Sequence, residues 1–440
     1  MKNLILLTYL LLLVPPLFAQ ELKQPSFEEV LSLQTVFSPV LSPDGQHVIY
    51  SRQTTDWEEN RYDRELWLAK AGETPFQLTN TTKGNSGSAR WSPDGKWITF
   101  LANRDGKNQL QVMRSAGGEA HQITNEATSI GNYAWSPDGT QIAFLRSEDK
   151  SKQQKARTKL YGEYSVDDEE FSLNQLWMMD FRPDLLQRNP LPGEAKDSTY
   201  KAKFAPQLLL DSVDFTVNSF LWSPDGKSIA FAHQPDPLIN TFFKRDISVY
   251  DVATETHRSL VSNPSFDGLI DWSPDSKSLL YSSSLSDSTS NYYRNDRYFR
   301  IDLDGNNNQE LGAGFDENLN GLQWTPAGIF GTAYQKTDRT VIQVNPQTGA
   351  VKLVPNNLLR TWSLSFSDDG QRVAYLGRGD KDLNEVYLAD LSFTNPKKLT
   401  DASKQISQWA TSNSEVISWK SQDGAVIEGV LHKPQDYDPE

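Results

Sequence analysis

The sequence predicts an all-β chain: a seven-bladed β-propeller followed by a hairpin that belongs to something else. Three observations carry this. The motif Ser-Pro-Asp-Gly begins at Ser42, Ser92, Ser136 and Ser223, and variants begin at Ser273, Thr325 and Ser367. Successive copies stand 50, 44, 87, 50, 52 and 42 residues apart, the period of propeller blades. After the last copy the repeat register breaks, and the chain ends on two strands without a repeat partner.

Each motif is a turn with a mechanism. Pro presets φ at the second position, Asp hydrogen-bonds locally, and Gly accepts a left-handed backbone. A hydrophobic residue stands directly before the turn: Trp91, Trp135, Trp222, Trp272 and Trp324, with Leu41 and Phe366 in the outer copies. Alternating apolar runs follow it, such as His47-Val-Ile-Tyr50, Trp97-Ile-Thr-Phe100 and Arg372-Val-Ala-Tyr375. The motif therefore joins the first two strands of a blade. Third strands are expected at 65–71, 109–115, 175–181, 246–252, 297–303, 340–346 and 385–391. A fourth ends in a Leu-Thr-like pair at Leu78-Thr79, Ile123-Thr124 and Leu399-Thr400. Four short strands in each of seven repeats make a seven-bladed ring. An aromatic at the same place in successive repeats is expected as core between blades. The long step of 87 residues reads as one blade with two insertions, a highly charged one at 147–172 and a Pro- and Lys-rich one at 182–206.

Composition bounds the chemistry. Of 440 residues, 43 are Lys or Arg and 57 are Asp or Glu, a formal charge of −14. Nucleic-acid binding needs a basic footprint, so no nucleic-acid partner is expected. Cys is absent, which excludes disulfides, thiolate metal sites and a Cys nucleophile. Twelve Trp, sixteen Tyr and twenty Phe can supply the core instead.

The opening residues read as a signal peptide spanning 1–19: Lys2, an apolar run from Leu4 to Leu13, Pro15-Pro16, then Leu17-Phe18-Ala19. That run is short for a membrane span, and no stable membrane anchor is expected. The expected location is periplasmic or secreted. The expected division is a linker segment at 20–36, the propeller at 37–412 and the start of a second domain at 413–440. In that last piece, Glu415-Val-Ile-Ser-Trp-Lys420 and the run from Val426 to Lys433 alternate as strands around a turn at Gln422-Asp-Gly424.

Here the sequence resembles a family. Repeats of Trp-Ser-Pro-Asp-Gly are similar to the propeller of prolyl oligopeptidase family serine peptidases, especially the acylaminoacyl-peptidase and dipeptidyl-peptidase branches. TolB-like propellers share the repeat. The stretch from Ile417-Ser-Trp-Lys to His432-Lys-Pro-Gln-Asp-Tyr-Asp-Pro439 looks like that family's entry into its α/β-hydrolase domain. The resemblance implies that this chain is truncated before its catalytic domain, which is then its partner, with short peptides as substrates. In the dipeptidyl branch a Glu pair on a propeller insertion holds the peptide's free amino terminus. Glu169-Glu170, before Phe171, is similar to that pair. The other reading of these residues is a solvated acidic loop that balances Lys150, Lys152, Lys155, Arg157 and Lys159.

The catalytic set of that family is not found here. An α/β-hydrolase carries its nucleophile on Gly-x-Ser-x-Gly. The nearest match, Gly84-Asn-Ser-Gly-Ser88, lacks the last Gly and reads as an inter-strand loop. His47, His121, His233, His257 and His432 form no close ligand set. Asp302-Leu-Asp-Gly-Asn306 lacks the positions of a calcium loop and reads as a hairpin turn. No catalytic residue, metal site or cofactor is expected. Two functions follow: the substrate-gating propeller of an exported exopeptidase or oligopeptidase, or a non-catalytic, TolB-like periplasmic propeller that binds proteins. The terminal hairpin favours the first.

Overall fold

The computed structural model describes residues 22–164, 171–186, 205–210, 213–286, 294–358, 360–434 and 437–438. Among them the strands form five four-stranded antiparallel sheets, one eight-stranded sheet and a two-stranded terminal hairpin. The eight-stranded sheet is two further four-stranded meanders, linked by one parallel bridge between Arg339 and Arg360. In chain order the meanders occupy residues 35–77, 85–122, 130–208, 216–261, 267–311, 320–354 and 360–398. They are numbered 1 to 7 below.

Burial explains the strand patterns. The second strand of a meander is apolar on both faces because another meander packs on each side. Trp97–Asn103 buries its first six residues. Apolar clusters lie between consecutive meanders. Ile49, Leu66 and Leu68 of meander 1 meet Ile98 and Phe100 of meander 2. Trp97, Leu110 and Val112 meet Tyr133, Trp135 and Phe144 of meander 3. The last cluster joins Ala374, Leu376 and Val386 of meander 7 to Val36, Val48 and Tyr50 of meander 1. A fully buried Phe such as Phe144 contributes about 3–5 kcal/mol relative to Ala.

The tryptophans before the turns are inter-sheet core. Trp135 and Trp272 are buried, and the indole of each donates to the preceding meander: Trp135 to Thr99 Oγ1 at 2.9 Å, Trp272 to the Leu221 carbonyl at 3.1 Å. Trp91 does the same to the Val40 carbonyl at 3.2 Å.

Six of the seven repeated turns have one geometry; the turn at Thr325–Gly328, which has no Asp, departs from it, with Gly328 at φ +127°. Ser92 Oγ donates to Asp94 Oδ1 at 2.6 Å and accepts the Trp97 N–H at 2.9 Å. The Gly95 N–H reaches the Ser92 carbonyl at 2.9 Å, with Gly95 at φ +68°. The same Ser-to-Asp bond recurs at Ser42, Ser136, Ser223, Ser273 and Ser367. At the fifth copy Ser276 takes the left-handed position itself, at φ +61°.

Several expectations shift. Third strands begin earlier where hairpins are long: Arg61–Lys70 opens four residues before the expected start. The segment expected as linker holds a short helix, Phe27–Leu31, and the first strand already begins at Thr35. The expected loop at 84–88 is mostly strand, because Asn85–Trp91 is the first strand of meander 2. Gly84 belongs to that start for a steric reason. A Cβ there would lie 1.4 Å from the Asn103 carbonyl oxygen.

The first strand of every meander is bulged where it pairs with the second. In meanders 1, 2 and 7 a serine at the bulge takes positive φ: Ser38, Ser88 and Ser363. Bulges add local twist, which suits neighbouring first strands that pack around a common axis.

Candidate functional site

Antiparallel meanders have two ends. Turns between strands 1 and 2, and between 3 and 4, fall at one end. Loops between strands 2 and 3, and connectors to the next meander, fall at the other. All the Ser-Pro-Asp-Gly turns therefore share one end, closed by the regular hydrogen bonds described above. The opposite end carries the irregular segments, where binding residues are expected to concentrate.

The charged insertion rises from this irregular end, in meander 3. Its root is Arg146, the penultimate residue of Gln141–Ser147. This guanidinium is only 8% exposed. It pairs with Glu126 at 2.8 Å and Asp149 at 3.3 Å, and lies 4.2 Å from the Trp177 ring. Burial pushes the Glu126 carboxyl above its usual range, against the pull of Arg146. Beyond the root stands a helix, Lys152–Tyr161, opened by a capping box between Ser151 and Gln154. None of its residues is buried, so the helix projects into solvent. Lys150 pairs with Glu163 at 2.6 Å, and Arg157 lies over the Tyr164 ring. Glu169 and Glu170 lie outside the described residues. The helix was not expected, because its basic residues read as a charge run.

The terminal hairpin leaves the same end. Asn413–Lys420 pairs with Val426–Lys433 over eight residue pairs. Ile417, Trp419, Ile427 and Leu431 share one face, and Val416, Val426 and Val430 the other. Val416, Ile417, Trp419, Val426, Ile427 and Leu431 are all exposed. Trp419 lies across the strand over Gly429, where a Cβ would come within 3.1 Å of the indole. Contacts to the meanders include the Lys336–Glu428 ion pair and a Lys381–Asn413 hydrogen bond at 3.2 Å.

A second device at this end escaped the sequence reading. Each Thr of the recognised Leu-Thr pairs bonds a buried residue that opens or lies within the third strand. Thr400 Oγ1 donates to Glu385 Oε2 at 2.5 Å, while the Ala402 and Ser403 amides reach the same carboxylate at 2.9 and 2.8 Å. Glu65 holds Thr79 and Thr81 in the same way, and Gln109 holds Thr124 and the Glu126 amide. These latches fix where each connector starts. The paired residues are 14 or 15 apart, and no local pattern announces them.

Among the described residues nothing forms a nucleophile, base and acid. His432 Nδ1 meets Ser414 Oγ at 2.8 Å, but as a cross-strand pair on the hairpin. His233 Nε2 meets Ser248 Oγ at 2.8 Å among Phe215 and Phe231. Burial lowers that imidazole to about 4, with His257 adding to the effect, so it is neutral at pH 7. Ser248 is buried. Among the described residues no group of three or more His, Asp or Glu could hold a metal ion.

Comparison with known proteins places this architecture. A family described as the TolB beta propeller domain matches residues 14–166. Dipeptidyl-peptidase 5 of Porphyromonas gingivalis is 26% identical over 347 residues, covering 74% of this chain and 48% of the relative. The chain thus spans about half the length of this curated relative. Among solved structures, the acylaminoacyl peptidase of Pyrococcus horikoshii superposes with a TM-score of 0.69 at 15% identity, over 96% of this chain and 60% of that one. The β-propeller domain of the Trilobed protease from Pyrococcus furiosus superposes at 0.58 and 14% identity, over 86% of this chain and 98% of that one.

Proposed function

We propose that this chain, which resembles the propeller portion of prolyl oligopeptidase family serine peptidases, gates substrate access in an exported peptidase that acts on short peptides. In this reading the seven meanders are seven blades around a channel. Residues 1–19 direct export and are removed, 20–36 lead into the propeller at 37–412, and 413–440 begin an α/β-hydrolase domain. The location is periplasmic or secreted.

One observation carries the reading. The hairpin and the described part of the charged insertion rise from the same end of the meanders, opposite the repeated turns. A hydrolase domain continuing from the hairpin would face that insertion across the mouth of the channel. Only chains narrow enough to pass the gate would reach the catalytic groups. Glu169 and Glu170 would then meet a protonated amino terminus, because a cation leaving water is stabilised by paired carboxylates.

The test compares the 440-residue chain with the product of its full reading frame. The chain alone should hydrolyse no peptide, amide or ester. In an active longer product, Glu169→Gln and Glu170→Gln should raise KM for free-amine peptides about tenfold, and leave amino-blocked peptides unaffected. Turnover by the 440-residue chain that tracked one of its own residues would overturn the reading. The alternative, a TolB-like periplasmic propeller that binds proteins without catalysis, draws support from the TolB match. It requires the hairpin to be an integral part of the propeller.

A further inference from the structure

We propose that Arg360 and Arg378, with Arg339 beside them, bind the carboxylate of the substrate peptide at the irregular end of the ring. This rests on the peptide-gating reading and adds the chemical group that is held.

Arg360 opens the first strand of meander 7, Arg360–Phe366, and Arg378 closes the second, Arg372–Arg378. They are directly paired across the ladder, so both side chains leave the same face of the sheet. Arg339, in Asp338–Val344 of meander 6, forms the single bridge to Arg360. Three guanidinium-bearing positions thus meet where meanders 6 and 7 join.

Like charges directly opposite each other destabilise a sheet. The chain has carboxylates in surplus to neutralise them, yet it does not do so here. Among the described residues, Arg360 and Arg378 have no side-chain hydrogen bond and no ion pair. The Arg339 side chain donates only from Nε to the Thr332 hydroxyl, at 3.1 Å. Both opposed arginines are half-buried. Burial, with the charge of Arg360 adding to it, pushes the Arg378 guanidinium below its ordinary value, and Asp380 pulls the other way. Cations drawn partly out of water with no hydrogen-bonded counter-ion are costly to keep. An anion that arrives from outside accounts for them.

The chemistry of the pair selects that anion. Guanidinium is planar and forked, and gives a carboxylate two parallel N–H···O bonds. The location agrees. Arg378 precedes the loop at 379–384. Arg339 follows the loop whose Lys336 pairs with Glu428 of the terminal hairpin. The site therefore borders the mouth through which a peptide would pass.

Calorimetric titration of the 440-residue chain with trialanine and with trialanine amide tests this. The free acid should bind about tenfold more tightly than the amide. Arg360→Gln and Arg378→Gln should each abolish that preference. Without peptide, both variants should melt no lower than the parent, because a repulsion has been relieved. Equal affinity for acid and amide would sink the carboxylate site and leave peptide recognition standing. Binding of neither would remove peptide recognition as well. A lower melting temperature with the preference intact would make the pair structural and overturn the proposal.

Discussion

The two ends of the ring differ in how they were built. At the turn end one solution is repeated. Six aspartates, Asp44, Asp94, Asp138, Asp225, Asp275 and Asp369, sit below their ordinary carboxylate range, bonded by a Ser hydroxyl and a following amide. At the irregular end each connector has its own length, and carboxylates such as Glu126, Asp246 and Asp267 are raised by burial. The turn end spends its polar groups on local hydrogen bonds. The irregular end keeps charges half-buried, and in Arg360 and Arg378 keeps them without a partner. That contrast is what a structural end and a binding end should show.

The largest expected effect tests whether the irregular end is merely loose. Glu385 is 1% exposed and accepts three hydrogen bonds from the connector that leads to the hairpin. Glu385→Ala would strand those donors and should cost about 3 kcal/mol in denaturant unfolding. A cost under about 0.5 kcal/mol would mean that the connector is not anchored there.

A pH series separates interior from turn carboxylates. Asp271, between meanders 5 and 6, accepts the Trp324 and Trp272 amides at 2.7 and 2.8 Å, yet burial raises it to about 6. A raised carboxyl contributes stability that is complete below the unfolded value near 3.8 and is lost as pH rises through about 6. The depressed turn aspartates contribute above their unfolded value and lose it as pH falls further. Stability should therefore rise on acidification from pH 7.5 to 5, by on the order of 2 kcal/mol, and then fall below pH 4. Asp271→Asn should flatten the rise and keep the fall. A rise of the same size in the variant would assign it to the other buried carboxyls.

Smaller still is the loss of one repeated turn. Ser92 is buried, and its hydroxyl both accepts the Trp97 amide and donates to Asp94. Ser92→Ala should cost about 1–2 kcal/mol. Peptide affinity should not change, because the turn lies at the opposite end from the arginines. A change in affinity without a change in stability would erase the distinction between the ends.

The sequence disclosed these regions unequally. Ser92 and Gly95 are legible because a turn is local: Ser, Pro, Asp and Gly each act within a few residues. The Trp before the turn is legible because its burial repeats. Glu385 was not legible, since its partner Thr400 comes back through another strand. Neither were the bulges, because serine at Ser38, Ser88 and Ser363 carries none of glycine's signal. Arg360 and Arg378 face each other only once the strands pair. Their importance lies in what they lack, which no sequence displays.

The smallest expected effect concerns the hairpin, and it bears most on function. Its apolar side chains are exposed on both faces, with Val416 and Val426 more than half exposed. A two-stranded sheet is marginal alone in water. The contacts that tie it to the meanders include an exposed ion pair, Lys336 with Glu428, and a hydrogen bond from Lys381 to Asn413. Exposed pairs of this kind are worth about 0–1 kcal/mol. Removing residues 413–440 should therefore shift the unfolding free energy of the remaining meanders by less than about 1 kcal/mol. In the intact chain, amides from Ile417 to Leu431 should exchange quickly while those of the second strands stay protected. Both outcomes fit a hairpin whose packing partner is another domain. A deletion that cost more than about 2 kcal/mol, with hairpin protection equal to that of the meanders, would make it part of the propeller and move the function toward protein binding without catalysis.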